Sequence, residues 1–147
     1  MTTQYTQHGT NGLRQMSLTD GRLTLMSAAS GTLPIRSNQS PYHYYRTGPL
    51  VAVSFYLLLD RNSSEYSAGS GQLKVLLPYA PIRNTRVLGQ YKVGGGTVVV
   101  NSPVMVHGSG NALFYELDGS ALNAQDHTMA QNDYLYSSFS YLTEDDF

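Results

Sequence analysis

Short apolar stretches separated by turn-forming residues recur along most of the chain. Residues 50–59, Leu-Val-Ala-Val-Ser-Phe-Tyr-Leu-Leu-Leu, are apolar on both faces of an extended chain, which is typical of a buried strand. Residues 72–77 and 134–142 alternate between apolar and polar side chains, as half-buried strands do. Shorter apolar stretches predict further strands at 13–18, 22–26, 97–100, 104–106 and 112–117. Asn101-Ser102-Pro103 predicts a bend or bulge, because proline cannot donate to a central ladder.

The segments between these strands are rich in Gly, Ser, Asn and Pro. Examples are residues 68–71, 94–96 (a flexible glycine turn) and 108–111. The best helical candidate, residues 121–130, is interrupted by Asn, Asp, His and Thr, so we predict a loop or a single turn there. Many short strands with frequent turns predict an all-β antiparallel sandwich or barrel, and no segment has a βαβ pattern.

A polar N-terminal region precedes the predicted body. Residues 1–40 carry only short apolar runs, whereas the density of aromatic and branched residues rises from Tyr42. We predict an extended arm or hairpin over 1–40 and a β-sandwich body over 41–147. In the arm, residues 13–18 and 22–26 flank Thr19-Asp20-Gly21, a turn signal. Two arrangements fit: this hairpin adds to the sheet edge of another chain, or it completes the protein's own sandwich.

The alternation also predicts which side chains form the core. We expect the following to be buried: Val51, Val53, Phe55, Leu57, Leu73, Val75, Leu77, Val98, Val100, Leu113, Tyr115 and Phe139.

Composition excludes several classes of function. Charged residues are 13% of the chain and the net charge is -1, so a general electrostatic attraction to nucleic acid or to an anionic membrane is not expected. The absence of cysteine excludes disulfides, thiolate metal sites and cysteine nucleophiles. Apolar runs are far short of the roughly 20 residues that span a bilayer, and the first residues lack a signal-peptide pattern.

Candidate chemistry is sparse. No two of the four histidines have the i, i+4 spacing of a helical zinc site; they are His8, His43, His107 and His127. Glu116 and Asp118 could act as a carboxylate pair on one face of a strand, but a solvated strand end is the simpler interpretation. We therefore predict no catalytic residues, no metal and no cofactor.

A tyrosine cluster is the most unusual local feature. On a strand, Tyr42 and Tyr44 share one face, and His43 and Tyr45 share the other. The cluster suits a carbohydrate platform or a protein interface, and also simple packing. Candidate partner-binding residues are Leu13, Met16, Leu18, Leu23, Leu25, Tyr42, Tyr44 and Tyr45.

A series of turn and packing signals extends over about two thirds of the chain. It comprises Tyr-Arg-Thr-Gly-Pro-Leu-Val-Ala-Val at 45–53, Gly-Ser-Gly-Gln-Leu-Lys-Val-Leu-Leu-Pro-Tyr at 69–79, and Leu113, Asp118-Gly119 and the strand 134–142. In this order the signals resemble a module of phage virions. Similar orders of turn and packing signals occur in head-decoration proteins and tail-fibre tips of tailed phages. The resemblance implies a jelly-roll-like sandwich that is often trimeric and has no enzymatic activity.

Two functions follow as expectations. The first is a capsid decoration or cement protein that stabilises the head, made in the host cytoplasm and located on the virion surface. Its partners would be the major capsid protein and itself, as a homotrimer, with no nucleic acid and no membrane. The alternative is a receptor-binding tip or small fibre that binds host surface glycan. The first is favoured because a chain starting at Met1 has only about 40 residues before the body, too few for a fibre shaft. An enzyme, such as a small glycan hydrolase, ranks last.

Overall fold

Residues 3–8, 13–18 and 25–144 are described by the computed structural model, the first two ranges as backbone only. They form ten strands and two short 3-10 helices, at Ser37–Gln39 and Ala124–Asp126, and no α-helix within those ranges. The strands are β1 (Thr3–His8), β2 (Leu13–Leu18), β3 (Met26–Ser27), β4 (Tyr42–Thr47), β5 (Leu50–Leu58), β6 (Lys74–Leu76), β7 (Thr85–Lys92), β8 (Val99–His107), β9 (Asn111–Phe114) and β10 (Tyr134–Leu142).

All ten strands belong to one antiparallel sheet in the order β1-β2-β4-β5-β10-β7-β8-β9-β6-β3. The sheet curls on itself, and the evidence is that side chains of strands far apart in this order are in contact. Phe55 on β5 meets Phe114 on β9 with ring centroids 6.2 Å apart. Tyr42 on β4 donates its hydroxyl to the carbonyl of Leu76 on β6. The predicted all-β antiparallel class is confirmed, and the core lies inside the curl.

Most predicted strands occur where the pattern placed them. Strand β10 has the predicted bounds, and β5 ends one residue early, at Leu58. The segment 121–130 contains only a single 3-10 turn, as predicted. The predicted bulge at Asn101 is also present: Gly89 pairs with Ser102 and Gln90 with Val100, which leaves Asn101 unpaired in the ladder with φ 56°.

The core prediction is confirmed on β5, on β6 and its flanks, and at Phe139, but it is wrong on β8 and β9. Val98 and Val100 are about half exposed, because the extra residue at Asn101 reverses the alternation of faces at the start of β8. On β9, Ala112 and Phe114 are buried and Leu113 and Tyr115 are half-buried. A shift of one residue on a strand exchanges its faces, and the observed alternation at 112–115 is shifted by one residue from the predicted alternation.

Residues 25–40 pack as part of the body, which corrects the predicted boundary near residue 40. Leu25, Met26 and Leu33 are each at most 3% exposed within the core. Of the strand predicted over 22–26, residues 22–24 are not described, and Met26 belongs to β3, which pairs with β6. The predicted turn at 19–21 lies outside the described residues.

A hairpin does occur near the N-terminus, but between β1 and β2. Strand β2 pairs with β4 through Leu13–Gln15, so the backbone of this hairpin extends the protein's own sheet. Because residues 19–24 are not among the described residues, both predicted arrangements of the hairpin around Asp20-Gly21 stay predictions.

Segment 25–40 is held by a close crossing of two loops. The backbone N–H of Ser30 donates to the carbonyl of Ser70 at 3.0 Å, and Thr32 and Ser67 exchange two backbone hydrogen bonds of 3.1 Å. At Gly69 the chains approach so closely that a Cβ atom would lie 1.8 Å from the carbonyl oxygen of Ser30. Only glycine fits this position without displacing backbone.

We expect Gly69→Ala to lower the free energy of unfolding by about 2 kcal/mol, because the added methyl group must push two backbone segments apart. Gly108→Ala is a matched control in the chain's other Gly-Ser-Gly triplet. Its nearest non-local contact to an added Cβ is 3.6 Å, so a change below about 0.5 kcal/mol is expected. Urea denaturation of both variants measures the difference, and equal losses would show that the crossing is loose.

Two fully buried serines offer a second comparison. The Ser137 hydroxyl donates to the carbonyl of Leu88 at 2.7 Å, whereas the Ser102 hydroxyl has no hydrogen-bond partner among the described residues. A buried polar group without a partner destabilises the fold, and removing a satisfied one leaves its partner unpaired. We expect Ser137→Ala to cost about 1 kcal/mol, and Ser102→Ala to leave stability unchanged or raise it by up to about 1 kcal/mol. Thermal denaturation of the two variants checks the sign, and a comparable loss from Ser102→Ala would contradict this reasoning.

Candidate functional site

Three of the predicted partner-binding residues lie in the core. Tyr42 and Tyr44 are each 1% exposed and Leu25 is 3% exposed. The ring of Tyr42 stacks on Phe55 at 5.6 Å, and the ring of Tyr44 meets Tyr79 edge-on at 5.8 Å. These side chains therefore pack the interior of the monomer, and almost none of their surface is exposed to a partner.

The other predicted contact residues lie elsewhere. Leu13, Met16 and Leu18 belong to β2, of which only the backbone is described, and Leu23 lies outside the described residues. Tyr45 is half-buried and points to the outer face of the sheet, opposite to Tyr42 and Tyr44. The predicted division of this strand into two faces is therefore confirmed, and Tyr45 is the tyrosine of the cluster that is partly accessible.

Tyr45 lines a concavity on the outer face of β4, β5 and β10, which we name the outer groove. Its volume is about 300 Å³. The side chains that line it are His43, Tyr45, Ala52, Ser54, Ser138 and Ser140, together with parts of Tyr44, Val53 and Phe139. Adjacent strands place Ser54 opposite both His43 and Ser138, and Ala52 opposite both Tyr45 and Ser140. The floor is thus built from small residues, with two aromatic rings along one side.

Larger side chains stand on the same two strands at either end of this floor. Tyr56 pairs with Tyr136 across β5 and β10, and Tyr56 also stacks on Tyr134 at 4.7 Å. Burial and the neighbouring Tyr134 raise the pKa of Tyr56. At the opposite end, Leu50 pairs with Leu142, and both are nearly half exposed.

An exposed apolar area lies on the outer face of β7, β8 and β10. We name it the outer apolar patch; it comprises Leu88 (59% exposed), Val98, Val100 and Tyr136. Gln90 lies between Val100 and Tyr136, because it pairs with Val100 on β8 and with Tyr136 on β10. The bulge at Asn101 is what turns Val100 outward.

Asp133 is a buried carboxylate that the sequence analysis missed. It is fully buried and accepts hydrogen bonds from three backbone N–H groups: Gly94 at 2.8 Å, Gly95 at 3.1 Å and Ala130 at 2.8 Å. Gly94 and Gly95 have φ angles of 66° and 65°, a conformation that favours glycine. The carboxylate therefore fixes the glycine turn that was predicted to be flexible.

The predicted carboxylate pair, Glu116 and Asp118, lies at a turn after β9. The Ser120 hydroxyl donates to Asp118 at 2.6 Å and to Glu116 at 3.1 Å, and these bonds close an exposed turn. The hydrogen bonds from the Ser120 hydroxyl and backbone lower the pKa of Asp118. Within residues 25–144, no three His, Asp or Glu side chains come together as a metal site would require.

Searches of family models, curated proteins and solved structures find no match to this chain. In the described residues, no helix has both the length and the apolar character needed to cross a membrane.

Proposed function

We propose that the protein is a non-enzymatic structural protein of a phage virion, most simply a capsid decoration or cement protein. In this proposal the curled sheet is a jelly-roll-like sandwich, and its partners are the major capsid protein and further copies of the chain, as a trimer. The observation that carries the proposal is the outer apolar patch. Exposed apolar side chains gathered on one face of a sheet are typical of a surface that contacts another protein.

The completeness of the core supports this assignment of the patch. The accessible surface is 7435 Å², close to the roughly 7,400 Å² expected for a monomer of 16.1 kDa. One chain therefore buries as much as an ordinary monomeric protein does. The exposed Leu88 and Val100 are not part of an unfinished core, so a partner that covers them would bind a folded monomer.

The second candidate function is a receptor-binding tip or small fibre protein. The observation that favours it is the outer groove, because a concave site with aromatic and hydroxyl groups suits a ligand more than a flat protein contact. Groove and patch both lie on the outer face of the sheet and meet at β10.

The two functions differ in what the purified protein binds. For a decoration protein we expect co-sedimentation with empty phage capsids, and loss of that binding in the double variant Leu88→Glu/Val100→Glu. Asn62→Glu/Ser64→Glu adds the same two charges at exposed positions in the loop after β5 and should bind normally. Binding to host-cell envelopes in place of capsids would support the second function. Binding to neither capsids nor envelopes would overturn both functions. Capsid binding that is unchanged in the double variant Leu88→Glu/Val100→Glu would overturn the first function.

A further inference from the structure

We propose that the outer groove binds a neutral saccharide. The inference deepens the second candidate function, since it names the ligand class of that site, and it does not depend on capsid attachment.

The floor of the groove presents three exposed serine hydroxyl groups. Ser54, Ser138 and Ser140 are exposed, and their hydroxyls make no hydrogen bond among the described residues. Side chains opposite each other on neighbouring strands lie roughly 5 Å apart, and alternate residues of one strand roughly 6.8 Å apart. The three hydroxyls therefore form a compact group. Each can both donate and accept a hydrogen bond, which matches the hydroxyls of a sugar.

The backbone at the centre of the floor is already occupied. Strand β5 is paired with β4 on one side and with β10 on the other, along residues 50–55. An extended peptide cannot add to a strand whose two edges are both paired, so strand addition is excluded at β5. A ligand that lies on Ala52 and Ser54 is therefore recognised through side chains, which here means hydroxyls and aromatic rings.

The side of the groove supplies an apolar contact. His43 and Tyr45 are both half-buried and face outward from β4, next to Ser54 and Ala52. An aromatic ring presents a broad, rigid apolar surface at low entropic cost, and the C–H face of a sugar ring is apolar. Alanine at position 52 and serine at position 140 leave space in front of Tyr45 for such a ring.

Charge decides between neutral and anionic ligands. No Asp, Glu, Lys or Arg side chain is among the described residues that line the groove. Recognition of a carboxylate or phosphate relies on charge-assisted bonds from Arg or Lys, which this lining does not supply. The volume of about 300 Å³ is at the lower end for ligand sites, so the site suits a short saccharide segment.

An NMR titration of the isotope-labelled full-length protein tests the inference. The probes are lactose and maltose, with 3'-sialyllactose and glucose 6-phosphate as charged counterparts. We expect at least one neutral sugar to shift amide resonances of β4, β5 and β10, and the charged probes to bind no better. Filling the floor with Ser138→Tyr should weaken binding at least tenfold, since tyrosine suits an exposed strand position but occupies the ligand space.

Thr85→Tyr is the matched control, because it adds the same side chain at an exposed strand position outside both the groove and the outer apolar patch. The triple variant Ser54→Ala/Ser138→Ala/Ser140→Ala removes the hydroxyls with little change of shape, and it should also lose binding. No shift with any neutral sugar, shifts outside the groove, or preferential binding of the charged probes would overturn the inference. Envelope binding that survives Ser138→Tyr would leave the second function standing and defeat only the saccharide groove.

Discussion

Phe55→Ala is expected to cause the largest loss of stability of the substitutions considered, about 3–5 kcal/mol. Phe55 is 1% exposed and lies at the centre of the aromatic core. Its ring stacks on Tyr42 at 5.6 Å and meets Phe114 and Phe139 edge-on, each at 6.2 Å. These contacts join β4, β5, β9 and β10, so the cavity left by alanine would lie where the sheet closes on itself and cannot collapse easily.

Leu50→Ala is a suitable control on the same strand. Leu50 is 47% exposed, so its truncation should cost less than about 1 kcal/mol. Chemical denaturation with matched m-values measures both changes. A loss below about 1 kcal/mol for Phe55→Ala would mean that the aromatic cluster is not packed as described.

Strands that are strongly patterned were predictable because their burial depends on their own residues. The alternation of β10 and the continuous apolar run of β5 each specify a face without reference to the rest of the chain. The two faces of β4 followed in the same way, but the alternation did not indicate that Tyr42 and Tyr44 face the core while His43 and Tyr45 face outward. The bulge at Asn101 was predictable from Pro103. The predicted core did not include its effect, which is that Val98 and Val100 face outward.

Other features depend on partners distant in sequence. Met26 is buried because β6, nearly fifty residues later, pairs with it; the apolar residues of 22–26 indicate a strand but not this partner. The outer groove needs the register that places Ser54 between His43 and Ser138, which joins three separate strands. The role of Asp133 could not be predicted, because its hydrogen-bond donors are backbone N–H groups, which leave no trace in the side-chain pattern.

Asp133→Ala is expected to lower the free energy of unfolding by about 3 kcal/mol. Hydrogen bonds to a charged group contribute roughly 1.5–3 kcal/mol each, and this carboxylate accepts three. The loss is smaller than their sum because Gly94 and Gly95 are exposed, so water can replace part of what they lose. Asp133→Asn retains one acceptor oxygen, so its free energy of unfolding should lie between those of the unsubstituted protein and Asp133→Ala. Asp126→Ala, at an exposed aspartate nearby in sequence, should change stability by less than about 0.5 kcal/mol.

Hydrogen exchange gives a local readout: the amides of Gly94, Gly95 and Ala130 should exchange faster in Asp133→Ala under conditions where the rest of the sheet stays protected. Unchanged exchange at all three amides would show that the carboxylate does not hold the glycine turn.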